Sequence, residues 1–248
     1  MAARFVAKSF EGAGTVDEDI LHSVQGSSCK ITLSGEELEL LPEAAVYWPS
    51  QNALLVADLH IGKGAAFRAD AMPIPSGSSQ ETLAYLSAVL RKTQSSKLFL
   101  LGDFWHAKQG RTDLIHEAVF DWRRRHADVE IVLIEGNHDR KSGNLPEDLG
   151  IPTLQDVAID GFILKHHPED DPRGYVLAGH IHPAVRLIGQ GRQVEKLPAF
   201  VFKERVGILP AFGAFTGDMT VYPSSGDRVF VIAENHVVEV GLTTAAAR

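Results

Sequence analysis

The chain has 248 residues, 44% of them apolar and 23% charged, a composition ordinary for a soluble globular protein. Its one cysteine, Cys29, excludes an internal disulfide and a cysteine-rich zinc site. A net charge of −8 argues against non-specific nucleic-acid binding over the whole surface but leaves a local basic groove open.

Residues 1–27 show no periodicity and carry scattered Gly, Ser and acidic residues, so they read as an N-terminal arm or mobile extension; 28–248 read as a single domain. The first twenty residues lack the apolar core of a secretion signal, and no apolar run approaches the ~20 residues of a membrane-spanning helix. A cytoplasmic location, with no membrane partner, is therefore expected. From Cys29 onward, CKITLSGEELELL predicts two short strands around a turn, and AAVYW before Pro49 a third.

Five apolar runs then each end in polar residues of metal-binding type. ALLVA precedes Asp58 and His60, KLFLL precedes Gly102-Asp103, and EIVLI precedes Gly136-Asn137-His138. GFILK precedes His166-His167, and YVLA precedes Gly179-His180 and His182. Such runs suit strands buried on both faces, and strand exits are where open α/β sheets hold their ligands. Between the first three runs, SSQETLAYLSAVLRK and TDLIHEAVFDWRRRH have helical spacing, with Ser78 or Ser79 able to cap the first. This βαβαβ stretch implies parallel strands with right-handed crossovers. After about residue 150, DVAID-GFILK, PAFVF, VGILP, TVYP and RVFVIAENHVVEV predict short strands and tight turns. A layered α/β fold results, with a second, mainly antiparallel sheet.

Asp58 and His60 lie two apart at a strand end and point the same way, as do His180 and His182. Glycines at 102, 136 and 179 are expected to turn the backbone tightly where side chains converge. The ligand count suits two ions: Asp58, His60 and His182 for one, Asn137, His166 and His180 for the other, with Asp103 bridging. His166 is preferred to the adjacent His167 because alternation along FILKH groups it with Leu164 and Phe162. Mixed imidazole and carboxylate ligation favours Mn, Fe, Zn or Ni over Mg or Ca. Such a pair clamps the attacking and departing oxygens of a phosphoryl displacement, with a metal-bound hydroxide as the expected nucleophile. His138 is left for the phosphoryl oxygens or leaving group, as charge stabiliser or proton donor. Asp139 is a candidate to orient this loop.

At these residues the sequence resembles the calcineurin-like metallophosphoesterases. Within that superfamily it is similar to the bacterial DNA ligase-associated metallophosphoesterases. The motifs are VYWP (46–49), LLVADLHIGKGAAFR (54–68), PIPSG (73–77) and LGDFWHAKQGR (101–111). GNHDR (136–140), GHIHP (179–183) and LPAFGAFTG (209–217) complete the set. The resemblance implies a β-sandwich flanked by helices in an α-β-β-α arrangement, with central strands largely parallel. It also implies a manganese-favouring phosphodiesterase that cuts DNA, a single-strand endonuclease working in repair beside a ligase and a helicase. Phe104-Trp105-His106 follows Gly-Asp where many superfamily members have an acidic residue and an arginine, so no Asp–His dyad of that type carries over.

Seven basic residues closely follow the motifs: Lys63, Arg68, Lys108, Arg111, Arg140, Lys141 and Arg186. Lys63, Arg68, Arg111 and Arg140, with His106 three residues after Asp103, are the candidate substrate contacts. Trp105 and Phe67 are candidates to stack on bases. The same ligand set would also serve a hydrolase of small phosphoesters or nucleotide pyrophosphates, which is the competing expectation. A non-catalytic scaffold fits poorly with an intact ligand set.

Overall fold

The computed structural model describes residues 27–72, 77–188, 194–213 and 216–241. The expected arm over 1–27 lies outside them, apart from Ser27, which bridges to His236. The three predicted N-terminal strands form β1 (Cys29–Leu33), β2 (Glu36–Leu41) and β3 (Ala45–Trp48), antiparallel to one another. Next come β4 (Ala53–Val56), β5 (Lys97–Leu100), β6 (Glu130–Ile134) and the short β7 (Thr153–Leu154), mutually parallel. Together they make one seven-stranded sheet in sequence order. Every residue of β4 is buried, as are the last three of β5 and the last four of β6. Their apolar runs are continuous because both faces of these strands are covered.

The second sheet contains nine strands. At its centre β9 (Phe162–Leu164), β10 (Tyr175–Ala178) and β13 (Val206–Ile208) run parallel. Antiparallel strands flank them: β8 (Val157–Ile159) on one side and β12 (Val194–Phe202) on the other. β11 (Pro183–Ile188) and the β15–β16 hairpin (Arg228–Ala233, His236–Val240) pair with β12, and β14 (Met219–Thr220) with β11. The sheets pack face to face through Leu38, Leu40, Trp48, Leu55 and Phe99 from the first and Phe162, Leu164, Leu177, Phe200 and Phe230 from the second. Trp48 meets Phe162 edge-on at 5.1 Å.

Helices α2 (Ser78–Thr93) and α3 (Asp113–Arg125) cover the first sheet's outer face. Leu83, Leu86, Leu90, Ile115, Val119 and Trp122 pack there against Leu54, Val56, Leu98, Leu100, Ile131 and Leu133. Thr112 caps α3 by accepting the Ile115 N–H. The cap expected of Ser78 or Ser79 is replaced by Gly77 in a left-handed conformation, and the Ser79 hydroxyl accepts the Gly62 N–H instead. Two short helices go unpredicted, α1 (Lys63–Ala69) and α4 (Asn137–Ser142), each following a motif. Neither spans the two turns needed to show a periodic apolar stripe. Also unpredicted is β11, in which the apolar positions of PAVRLI are interrupted by Arg186.

The register aligns the motifs. Val56 is level with Leu100, and Leu100 with Leu133, so Asp58, Asp103 and Asn137 emerge at one edge. In the second sheet Leu164 pairs with Leu177, which brings His166 and Gly179 to its corresponding edge. The two edges are joined directly by hydrogen bonds from Phe212 N–H to the Ala57 carbonyl and from Gly213 N–H to the Asp58 carbonyl.

Candidate metal centre

The strand exits are held in a backbone conformation that side chains resist. Asp58 (φ 56°), His60 (47°), Asp103 (50°), His180 (70°) and His182 (49°) are all left-handed. Each such non-glycine residue costs on the order of 1–3 kcal/mol and persists only where its surroundings enforce it. The enforcement here is a ladder continuing beyond the strands. Asp58 N–H donates to the Gly102 carbonyl at 3.2 Å, His60 N–H to Asp103 at 2.9 Å, and Ile61 N–H to Phe104 at 2.7 Å. Five left-handed residues at one place, all of metal-ligand type, mark a site.

The glycines act mainly by making room. A Cβ on Gly102 would lie 2.2 Å from His166 Nδ1, one on Gly136 2.1 Å from Asp103 Oδ1, and one on Gly179 2.5 Å from Asp58 Oδ2. Each clears space for a side chain from a neighbouring strand. The tight turning expected from the sequence applies to Gly102, at φ 85°, but not to Gly136, at φ −89°.

In the space so cleared, the seven expected ligands converge. His60 Nε2 stands 3.3 Å from His182 Nε2, which is 3.4 Å from Asp58 Oδ1. On the other side His166 Nε2 lies 3.0 Å from Asn137 Oδ1 and 3.1 Å from His180 Nδ1. Asp103 stands between, with Oδ1 3.5 Å from His166 Nε2 and Oδ2 4.0 Å from His60 Nε2. His166 is buried at this junction. Half-buried His167 lies against His180 at 4.3 Å, the ring planes tilted by 58°, and joins it and His166 in a further three-nitrogen group.

The donor set fits divalent cations. Asp58 Oδ1 is buried with no hydrogen-bond partner, while Oδ2 accepts the His180 N–H at 2.8 Å. The ion pairs of Asp58 and Asp103 among the described residues are with imidazoles alone. Two buried carboxylates without a permanent cation are expensive. Burial, helped by the Asp58 charge and opposed by the His138 N–H, pushes the Asp103 carboxyl up to about 6. Burial and then the neighbouring imidazoles push His60 far down. Burial also acts to lower His182, but the facing Asp58 carboxylate outweighs it and leaves it raised. Of these shifts only that of His60 favours the deprotonated state metal ligation requires; Asp103 and His182 would release protons as an ion binds.

Backbone carbonyls orient the rings. His166 Nδ1 faces the Leu101 carbonyl at 2.9 Å and His182 Nδ1 that of Gly217 at 3.2 Å, so each turns Nε2 inward. His138 Nδ1 faces the His106 carbonyl at 2.6 Å, and the rings of His60, His106 and His138 form a further three-nitrogen group. The His138 N–H donates to Asp103 Oδ1, and its ring stacks on that of His106 at 5.2 Å. His106 Nδ1 in turn lies 3.4 Å from His60 Nδ1. Asp139 is a structural tie: its buried carboxylate accepts the N–H groups of Gly136 and Trp105, joining the exits of β5 and β6. An acidic residue three positions after Gly136, at the start of a helix, is the sequence signal for this role.

The expected substrate contacts differ in their surroundings. Lys63 donates to the Thr216 carbonyl, and Arg68 is exposed on the same helix. Arg111 lies over the Trp105 ring and donates to the carbonyls of Ser142 and Gly143, while exposed Arg140 reaches Glu135 at 3.3 Å. Trp105 is buried, so it is not available to stack on bases; half-buried Phe67 meets His106 edge-on at 5.6 Å.

Fold and cluster together define the class: a metal-dependent phosphoesterase on a calcineurin-like sandwich. Among solved structures the chain is similar to the Pseudomonas putida nuclease MPE, with 39% identity over 86% of this chain and 100% of that one and a TM-score of 0.75. The chain belongs to the family of that nuclease. More distant are the protein of unknown function AQ665 from Aquifex aeolicus and the Escherichia coli phosphoesterase Yfce. AQ665 is 18% identical over 52% of this chain and 78% of its own, with a TM-score of 0.35. Yfce is 13% identical over 77% and 99%, with a TM-score of 0.37, and at such scores neither carries weight. No family model and no curated protein matches the chain.

Proposed function

We propose that this chain is a two-metal phosphodiesterase that cuts single-stranded DNA internally, in a repair setting shared with a DNA ligase and a helicase. The observation that carries this reading is Asp103, set between two imidazole groups beside an unpartnered buried oxygen of Asp58, in a chain 39% identical to a nuclease. Asp58, His60 and His182 would hold one ion, Asn137, His166 and His180 the other, with Asp103 shared. Mixed nitrogen and oxygen ligation suits manganese, with iron, zinc or nickel as substitutes. Divalent ions bound here would supply Lewis acidity at the phosphoryl oxygens and lower the pKa of an attacking water.

The remaining work falls to side chains. His138, its Nδ1 fixed by the His106 carbonyl, presents Nε2 to the phosphoryl oxygens or the leaving group. His106 stacks behind it and limits its rotation. The glycines keep the ligands of adjacent strands in register, so the phosphate meets a preformed site.

The test is a metal screen of the purified chain against circular single-stranded DNA, duplex DNA, nucleotide pyrophosphates and an aryl phosphodiester. Linearisation of the circle, with manganese best and duplex cut poorly, is the expected outcome. Rapid hydrolysis of nucleotide pyrophosphates with intact DNA would replace this reading by the small-phosphoester one.

A further inference from the structure

One turn of helix from the candidate metal centre lies an open cleft of about 550 Å³. Its wall is formed by Lys108, Arg111, His116, Arg140, Lys141 and Ser142, with Gly143, and includes no carboxylate. Four permanent cations share this cleft in a chain whose net charge is −8. The nearby acids stand outside the wall: Glu135 pairs with Arg140, and Asp113 acts electrostatically on His116.

The arrangement is built rather than a chance gathering of solvated lysines. Arg111 is half-buried and fixed on three sides, by the Trp105 ring at 5.0 Å and by the Ser142 and Gly143 carbonyls at 2.8 and 2.9 Å. Trp105 also stacks on His116 at 5.4 Å, so both cleft residues rest on one buried ring. The Ser142 hydroxyl is buried without a hydrogen-bond partner, although its residue belongs to the wall. Helix α4 links this wall to the chemistry. Asn137 and Lys141, and likewise His138 and Ser142, are four residues apart and share a helix face, about 5–6 Å between Cβ atoms.

We infer that this cleft takes a backbone phosphate of a single DNA strand next to the one being cut, on the His138 side of the metal centre. The inference rests on the nucleic-acid reading above. A polyanionic strand crossing from the metals along α4 reaches Lys141 and Arg140 first, then Arg111 and Lys108. Small phosphoesters end at the metals and leave the cleft unused. Lys63 is not part of the wall and donates instead to the Thr216 carbonyl.

The test uses the double variant Lys108→Ala/Lys141→Ala, since both side chains are exposed. Manganese-dependent kcat/KM is measured on a labelled single-stranded oligonucleotide and on bis-(p-nitrophenyl) phosphate. Oligonucleotide binding is followed by fluorescence anisotropy in chelator across a salt series. Relative to the parent, kcat/KM on the oligonucleotide should fall at least tenfold more than on the aryl ester. The slope of log affinity against log salt should become shallower by about 0.7 for each phosphate that the variant no longer neutralises. Equal losses on both substrates, or unchanged affinity and slope, would overturn the cleft assignment while leaving the nuclease reading intact. A parent that hydrolyses the aryl ester but neither binds nor cuts the oligonucleotide would instead remove both.

Discussion

Asp103 carries the greatest burden of any residue in the site, because its two oxygens face different halves of the cluster. Asp103→Ala should abolish hydrolysis and reduce bound metal below two equivalents, measured by elemental analysis of the dialysed protein. Full activity with two ions would refute the bridging role. His138 meets Asp103 through its backbone N–H, which survives truncation of the ring, while the ring itself groups with those of His60 and His106. His138→Ala should therefore retain both ions yet lose roughly 10²–10⁴-fold in rate, the range for a positioned acid or base. The drop should be smaller on esters with very good leaving groups if proton donation is its main contribution. Gly136→Ala tests the close approach of strands: its methyl would meet both Asp103 Oδ1 and the Asp103 backbone nitrogen. Displacing that carboxylate by about 1 Å should cost on the order of 10²-fold in kcat, with circular dichroism unchanged.

At the scale of elements, ligand positions are legible because each follows an apolar run long enough to be a doubly covered strand. Reading those runs as strands is enough to place Asp58, Asp103, Asn137, His166 and His180 at strand exits. The left-handed backbone of five candidate ligands is not legible, since Asp and His carry no compositional sign of it; at Asp58, His60 and Asp103 the ladder between neighbouring loops imposes it. The role of Asp139 and the burial of Trp105 likewise depend on contacts between the β5 and β6 exits. The segment after His166 shows a further device invisible in sequence. Asp171 accepts from Arg173 at 3.0 and 2.9 Å and pairs with Lys165 at 2.5 Å, while Arg173 also grips Asp156. These partners, Arg173 first, hold the Asp171 carboxyl far below the usual carboxylate range. A depressed folded-state pKa contributes stability that is present above the unfolded value, about 3.9, and lost as pH falls below it. Asp171→Asn should thus lower the urea midpoint at pH 7, and the gap from the parent should narrow as pH falls below about 4. A gap independent of pH would show that packing, not charge, sets the contribution.

For the whole molecule, the proposed metal pair would also be a folding ligand. Two buried carboxylates and the facing imidazoles repel or go unpaired without cations, and the strained exits hold them there regardless. Ions that bind only the folded chain stabilise it by mass action, by about 2.7 kcal/mol per site at a hundredfold excess over Kd. For a domain of this size that corresponds to a rise in Tm of roughly 5–10 °C per occupied site, or about 10–20 °C for the pair, on adding manganese, reversed by chelator. The same addition to the Asp103→Ala variant should move Tm far less. An equal shift in both would place the stabilising ions elsewhere on this acidic surface.

If two ions sit astride Asp103, anomalous diffraction from manganese-soaked crystals should show two peaks roughly 3.5–4 Å apart. One should be contacted by Asp58, His60 and His182, the other by Asn137, His166 and His180, with both contacted by Asp103 and neither by His138. A single peak, a pair that leaves Asp103 outside the coordination sphere, or His138 bound directly to an ion would contradict this arrangement.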